Sequence, residues 1–172
     1  MTDLVIRPTT GSDWREVRAL RLEMLRDTPL AYLESLADAL HVQEFEWRLR
    51  ARRGQAKNGT SLVAITADGA WVGAMGGWVP DRTEGPILVG VYVAPAHRGR
   101  QANVADRLLD AIEEWAVDHG NALRLLVHED NARAQAFYRR RGYELTGKSE
   151  PYALDPTQRE LEMSRRLDSS NT

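Results

Sequence analysis

The 172-residue sequence contains no cysteine. That excludes a disulfide framework, a thiolate metal centre and a cysteine nucleophile. No apolar run approaches the about 18–20 residues that cross a bilayer, so a membrane is not expected as a partner. The opening segment, MTDLVIRPTT, has no basic stretch followed by an apolar one, and the chain is expected to be cytoplasmic. An excess of charge of one sign is also missing. The 23 basic and 25 acidic residues leave a formal net charge of −2, where a nucleic-acid binder ordinarily carries a basic surplus, so no nucleic-acid partner is expected. No G-x-G-x-x-G follows the first strand-like segment, which removes a dinucleotide-binding reading. Asn58-Gly59-Thr60 has the spacing of a glycosylation sequon. Without an export signal it reads as a turn.

What is present suits one globular unit. Apolar residues make up 42% and charged residues 28%, enough to bury a sizeable core. Residues 1–167 are expected to form a single domain, and 168–172 a disordered tail.

Leu4-Val5-Ile6, closed by Pro8, reads as a strand. Ser12 or Asp13 can cap a helix over roughly Trp14 to Arg26. A second helical stretch, Val42 to Arg52, has Phe45 and Leu49 four apart. The period then changes to that of strands. Ser61–Thr66 and Trp71–Val79 flank Ala67-Asp68-Gly69-Ala70, a hairpin signal. Pro86–Val93 is continuously apolar, which predicts a central strand buried on both faces. A long helix follows the loop from His97 to Ala102, with Ala105, Leu108, Leu109, Ile112, Trp115 and Ala116 on one stripe. Asn103 is its expected cap, with Asp106 three residues on, and Gly120 is the expected stop. Leu123–Val127 is a strand, Asn131–Arg141 a short helix halted by Gly142. Tyr143-Glu144-Leu145 begins another strand, and Glu160–Leu167 alternates like a last one. A strand–helix–strand crossover through the long helix implies locally parallel pairing, and the remainder can pair antiparallel. The pattern is a mixed α/β sandwich, which by itself does not give function.

Two segments carry chemistry. From Val91 to Ala105 a buried strand runs through a basic loop into a helix start. Unpaired N–H donors and the partial positive charge there suit a phosphate or pyrophosphate, and Arg98 and Arg100 add cationic donors. An ordinary strand-to-helix turn with solvated arginines would have the same sequence. Asp106 sets a negative charge in the first turn, against the anion reading. In the second segment Asn131, Ala134 and Tyr138 lie at i, i+3 and i+7 and share a helix face. An amide, a small residue and a phenol in that order would line a slot for a narrow amide-bearing ligand. Alternatively, Asn131 is an N-cap and Tyr138 a core aromatic.

Together these segments resemble the GNAT superfamily of acyl-CoA N-acyltransferases. The family's Asn-x-x-Ala-x-x-Phe-Tyr-x-x-x-Gly-Phe/Tyr is complete here in Asn131, Ala134, Phe137, Tyr138, Gly142 and Tyr143. Its Arg/Gln-x-x-Gly-x-Gly/Ala is not. Opened at Arg98, the motif has Gln101 and Asn103 in place of both glycines. Opened at Arg100, it loses one glycine to Asn103 and keeps Ala105, at the expense of two extra loop residues. The second alignment is preferred, because Asn tolerates positive φ best among the non-glycine residues.

The resemblance implies the GNAT-like α/β fold: a mixed, mostly antiparallel sheet with helices on both faces. It implies an N-acetyltransferase with acetyl-CoA as co-substrate and an amine acceptor. On that analogy Val91, Tyr92 and Val93 pair through their backbone with the pantetheine amides. The loop Arg98, Gly99, Arg100, Gln101, Ala102, Asn103, Val104 and Ala105 holds the pyrophosphate. Asn131 and Ala134 flank the pantetheine arm, and Tyr138 serves the departing sulfur as the catalytic residue. A strand N–H near Val93 would support charge on the thioester oxygen. His128, Glu129 and Glu34 are the weighed candidates for a general base, each more readily a surface residue. The stretch from Asp27 to Arg53, with Tyr32, Glu34, Phe45 and Trp47, is expected to wall the acceptor side, with Trp78, Tyr92 and Tyr152 as further aromatic surface; core packing is the alternative for most of these. A longer acyl-CoA, or a non-catalytic CoA-binding regulatory module, stays open, as do the acceptor and a homodimer. No metal site is expected.

Overall fold

The computed structural model describes residues 3–168. The tail expected from Asp168 onward lies, apart from Asp168 itself, outside the described residues. Twelve regular elements follow one another: β1 (Leu4–Pro8), α1 (Trp14–Asp27), α2 (Leu36–Leu40), α3 (Glu44–Ala51), β2 (Gly59–Thr66), β3 (Trp71–Trp78), β4 (Ile87–Val93), α4 (Val104–Val117), β5 (Ala122–His128), α5 (Ala132–Arg140), β6 (Glu144–Tyr152) and β7 (Asp155–Arg166). The strands form one seven-stranded sheet in the order β1-β2-β3-β4-β5-β7-β6. Every neighbouring pair is antiparallel except β4 with β5. The mixed, mostly antiparallel sheet is therefore as expected. Among the described residues no helix is long and apolar enough to cross a membrane.

The Asp-Gly signal is a hairpin turn. Gly69 takes φ +87°, and β2 pairs β3 from Gly59↔Trp78 to Ile65↔Trp71. Pro8 sits on an edge strand, where its missing N–H costs no ladder bond.

The predicted stripe of α4 packs on one face of the sheet. Leu108, Leu109, Ile112 and Ala116 have no exposed surface and meet Val72, Leu88, Leu125 and Met163. Each large side chain there contributes about 1.5–3 kcal/mol by leaving water. The helix comes so close that a Cβ at Gly77 would stand 2.5 Å from the Trp115 ring.

On the other face α1 and α3 cover the sheet through Leu20, Met24, Leu25 and Trp47. Here the expected face of α3 is wrong. Phe45 and Leu49 are exposed, while Trp47 and Ala51, also four apart, are buried. Burying the larger Trp47 wins, and Ala51 is small enough to let the helix reach β1, where Thr9 Oγ1 donates to Ala51 O at 2.7 Å. The short α2, which the sequence reading missed, is capped by Ser35, whose Oγ accepts from Asp38 N.

Helix ends also differ. Asp13 does not cap α1 with its side chain; it accepts from Thr10 N and pairs with Arg7. Asn103 has the expected positive φ, 55°, but makes no side-chain cap. Asp106 pairs instead with Arg140 and Arg141, each at 3.0 Å, because two cations on the neighbouring helix outcompete its own first turn. The helix ends at Val117, and Gly120 lies outside the left-handed region. Its role is close packing: a Cβ there would stand 2.8 Å from Pro86. Asn131 does cap α5, accepting from Ala134 N at 3.1 Å, and Gly142 stops it at φ +88°. Arg141 then bonds Asp106, Asp110 and Glu113, fastening the end of α5 to α4.

The central strand is β4, as predicted, but it is not buried on both faces: Val89 is exposed and Gly90 takes φ +60°. The ladder to β3 shifts register between Ala74 and Gly76, opposite that point. Pairing with β5 is confined to Ile87↔Arg124 and Leu88↔Leu125. Past Leu88 the two strands part, and the gap between them positions the site.

Candidate functional site

The gap opens into a cavity of about 280 Å³. Three elements build it: the free edge of β4, the loop leading into α4, and one face of α5. Of the residues named from sequence, Val91, Tyr92, Val93, Arg98, Gly99, Arg100, Ala105, Asn131, Ala134 and Tyr138 line it. Gln101, Ala102, Asn103 and Val104 do not. The Val104 side chain is in the core, next to Gly73, and Asn103 is exposed.

Strand periodicity decides which backbone groups face the gap. Ala94 N bonds Val72 O, and Tyr92 pairs across to Ala74, so both turn toward β3. Val91 and Val93 therefore turn the other way. Side chains meet their carbonyls: Tyr32 Oη donates to Val91 O at 2.8 Å, and Arg98 Nε to Val93 O at 2.7 Å. The expected backbone role thus fits Val91 and Val93 but not Tyr92. Tyr92 offers a side chain instead, its hydroxyl donating to Glu23 at 2.9 Å. Arg98 is also committed, paired with Asp27 and lying over the Tyr92 ring. Arg100 and Arg133, both exposed on the cavity wall, make no ion pair among the described residues.

The face of α5 is arranged as its spacing predicts. Asn131 uses Oδ1 as the helix cap, which leaves its NH₂ group without a partner among the described residues. Both readings of Asn131 are thereby compatible. The Tyr138 side chain is buried, with edge contacts to Phe137 and Tyr143 at 5.4 and 5.9 Å. Its hydroxyl makes no hydrogen bond among the described residues. Burial, helped by nearby Tyr32, pushes the phenol well above the usual tyrosine range and keeps it protonated. Burial likewise pushes Tyr32 up to about 12.

Sequence reasoning missed several wall residues: Thr28, Ala31, His97, Asp106, Arg133 and Phe137. Phe137 and Arg133 stood in or beside the recognised motif and were available to it. Thr28 and Ala31 follow α1 and lie within the Asp27-to-Arg53 stretch expected along the acceptor side, but no motif singled them out. His97 Nδ1 is buried with no partner.

The three base candidates are all occupied. His128 is buried, not a surface residue; its Nδ1 accepts from Asp130 N and its Nε2 faces Gln158 Oε1 at 2.7 Å. Glu129 accepts from Arg159 N. Glu34 is held by Arg21 at 2.9 Å and by Arg50 at 2.9 and 3.1 Å. Burial pushes its carboxyl up, but the bonds from Arg50 and Arg21 outweigh it and leave the group below the usual range.

Glu160 was not singled out and is the buried carboxyl of this region. It is 6% exposed, has no side-chain partner among the described residues, and lies between His128 on β5 and Glu150 on β6. Burial and Glu150 raise its pKa; His128 opposes them. A raised folded-state value stabilises the fold below the unfolded carboxyl pKa of about 4.3. That contribution is lost as pH rises through the folded value. Glu160→Gln should therefore melt higher than the wild type at pH 7–8, with the difference shrinking toward pH 4. Thermal unfolding of both across that range checks it; equal melting temperatures at pH 7 would mean the carboxylate is not strained.

Comparison with known proteins now places the chain. The acetyltransferase (GNAT) family model matches residues 18–143. The chain belongs to the GNAT acetyltransferase family. No curated protein matches this GNAT sequence significantly. Solved structures do share its fold. A GNAT-family acetyltransferase from Streptococcus pneumoniae superposes with a TM-score of 0.77 at 17% identity, covering 96% of this chain and 100% of that one. A phosphinothricin acetyltransferase from Sinorhizobium meliloti, in complex with acetyl-CoA, gives 0.75 at 18%, covering 99% and 91%. A spermidine N-acetyltransferase from Vibrio cholerae, with CoA and spermine, gives 0.71 at 15%, covering 95% of each.

Proposed function

We propose that this GNAT chain transfers an acetyl group from acetyl-CoA to a primary amine of a small molecule or protein, by direct attack on the thioester. The observation that carries the reading is the pairing of β4's outward-facing edge at Val91 and Val93 with an unpartnered Tyr138 hydroxyl across one narrow cavity. Acetyl-CoA and CoA complexes among the fold's neighbours support the choice of co-substrate.

The residues fit the group. Val91 and Val93 offer their N–H groups to an amide-bearing arm, their carbonyls already accepting from Tyr32 and Arg98, and the Asn131 NH₂ group offers a donor from the opposite wall. The start of α4 supplies unpaired N–H groups to a diphosphate, with Arg100 and Arg133 free to add charge. Arg98 is not counted among these donors, since Asp27 and Val93 O hold it. Acetyl-CoA supplies the activated acyl group. The Val93 N–H, turned into the gap, is placed to support negative charge on an acyl oxygen. Tyr138 holds a proton at Oη for the departing sulfur. The amine must arrive neutral, which for a lysine-like group of pKa about 10.4 costs about 4–5 kcal/mol at pH 7.

Isothermal titration with acetyl-CoA, followed by thiol release across a panel of amines, tests the reading. Binding at tens of micromolar together with turnover of at least one amine is expected. No binding heat would remove the co-substrate, and binding without turnover of any amine would leave a CoA-binding regulatory module.

A further inference from the structure

A second, larger cavity of about 640 Å³ lies on the opposite face, between the sheet and the helices α1 and α3. It begins where the first one ends: Val89 and Gly90 line this one, and Val91, the next residue, lines the other. Its walls are apolar at Leu20, Met24, Trp47 and Trp78. Its charge is not balanced. Arg21, Arg50 and Arg53 all line it. Glu34 is shared by Arg21 and Arg50, and Glu46 pairs with Arg50 at 3.0 Å. Arg53 makes no ion pair or side-chain hydrogen bond among the described residues. Partial burial and the nearby Arg50 and Arg21 guanidiniums disfavour its charge. Three guanidiniums against two carboxylates leave one positive charge over, at the wall of an apolar pocket. A carboxylate is the group that a guanidinium fork matches in shape and charge. The cluster also reaches the reaction side: Arg21 lies over the Tyr32 ring, whose hydroxyl bonds Val91 O.

We propose that the acceptor is an amine that also carries a carboxylate, of the free amino-acid or short-peptide type, with the carboxylate held at Arg53 and its apolar body against the exposed Trp78 and Val89 side chains. This rests on the acetyltransferase reading above and names its substrate class. The amine end then points past Gly90 toward Val91 and Tyr138.

The test compares matched pairs of free acid and carboxamide as acceptors: phenylalanine, γ-aminobutyrate and glycyl-phenylalanine, each with its amide. Thiol release is followed at saturating acetyl-CoA. For the acid that is used best, kcat/KM should exceed that of its amide by about 10-fold or more, the loss expected when one guanidinium–carboxylate contact of about 1.4 kcal/mol or more is removed. Arg53→Glu should bring the ratio to one or below, mainly through KM for the acid, and Arg53→Lys should restore part of it. Arg53 is exposed, so both variants are expected to fold, and their melting temperatures check this. Amides used as well as acids by the wild type, or a ratio unchanged in Arg53→Glu, would overturn the substrate class while leaving the acetyltransferase reading intact. Bound acetyl-CoA with no amine of any kind turned over would overturn both.

Discussion

Gly54→Ala should lower the melting temperature by about 6–12 °C. Gly54 follows Arg53 in the 3₁₀ turn after α3 and lies directly on β1. A Cβ added there would stand 2.2 Å from Thr9 O and 2.4 Å from Thr9 N. Both atoms are main chain, so no rotamer change relieves the clash. Thr9 cannot retreat easily, because its N–H bonds Ser61 O at 2.9 Å and its hydroxyl bonds Ala51 O. Overpacking of a core typically costs about 1–3 kcal/mol, and a main-chain collision belongs at or above the upper end. About 3 kcal/mol, at about 2–4 °C per kcal/mol for a chain of this size, gives the stated drop. Calorimetry or thermal circular dichroism measures it. A shift under 2 °C would show that the turn can lift off β1 freely, and that Arg53 is not held in place by it.

Tyr138→Phe should reduce turnover about 100-fold and move acetyl-CoA affinity less than about threefold. The phenol ring is buried and the group stays protonated, so its hydroxyl is placed on the α5 face to give a proton to a leaving sulfur. General acids contribute about 10²–10⁴-fold. A thiol of pKa about 8.5 leaves readily without help, which puts the effect at the low end. The ring contacts with Phe137 and Tyr143 survive in the variant, and removing a hydroxyl that has no protein partner breaks no bond of the fold. Stability should therefore stay level or rise while kcat falls. Thiol-release kinetics together with titration of acetyl-CoA separate the two effects; unchanged turnover would remove Tyr138 from the mechanism.

Features carried by local pattern were legible in the sequence. The α4 stripe, the Asp68-Gly69 hairpin, the positive φ at Asn103 and the Asn131-to-Gly142 helix each depend on residues within a few positions of one another. The crossover through α4 likewise announced the parallel contact of β4 with β5. What was illegible depends on partners far apart in the chain. Nothing near Arg98 shows that Asp27, 71 positions earlier, will hold its guanidinium. The exposed side of α3 was misread because Phe45 and Leu49 are as well spaced as Trp47 and Ala51. Only the neighbouring strand, which needs a small residue at 51, decides between them. Glu160 looked like one polar position in an alternating strand, and its burial comes from two strands pairing on either side. Arg53 carried no motif, and its significance appears only when Arg21 and Arg50 stand beside it with too few carboxylates between them.

A strand whose edge is left open in the middle of a sheet is a hazard, since bare N–H and C=O groups invite any passing strand to add on. The stretch of β4 beyond Leu88 has this character, and Tyr32 and Arg98 blunt it by capping alternate carbonyls. Both caps act on carbonyls and leave the N–H groups beside them for another partner. The protein thus shields itself from sticking to copies of its own backbone without closing the slot to a slender, amide-rich guest.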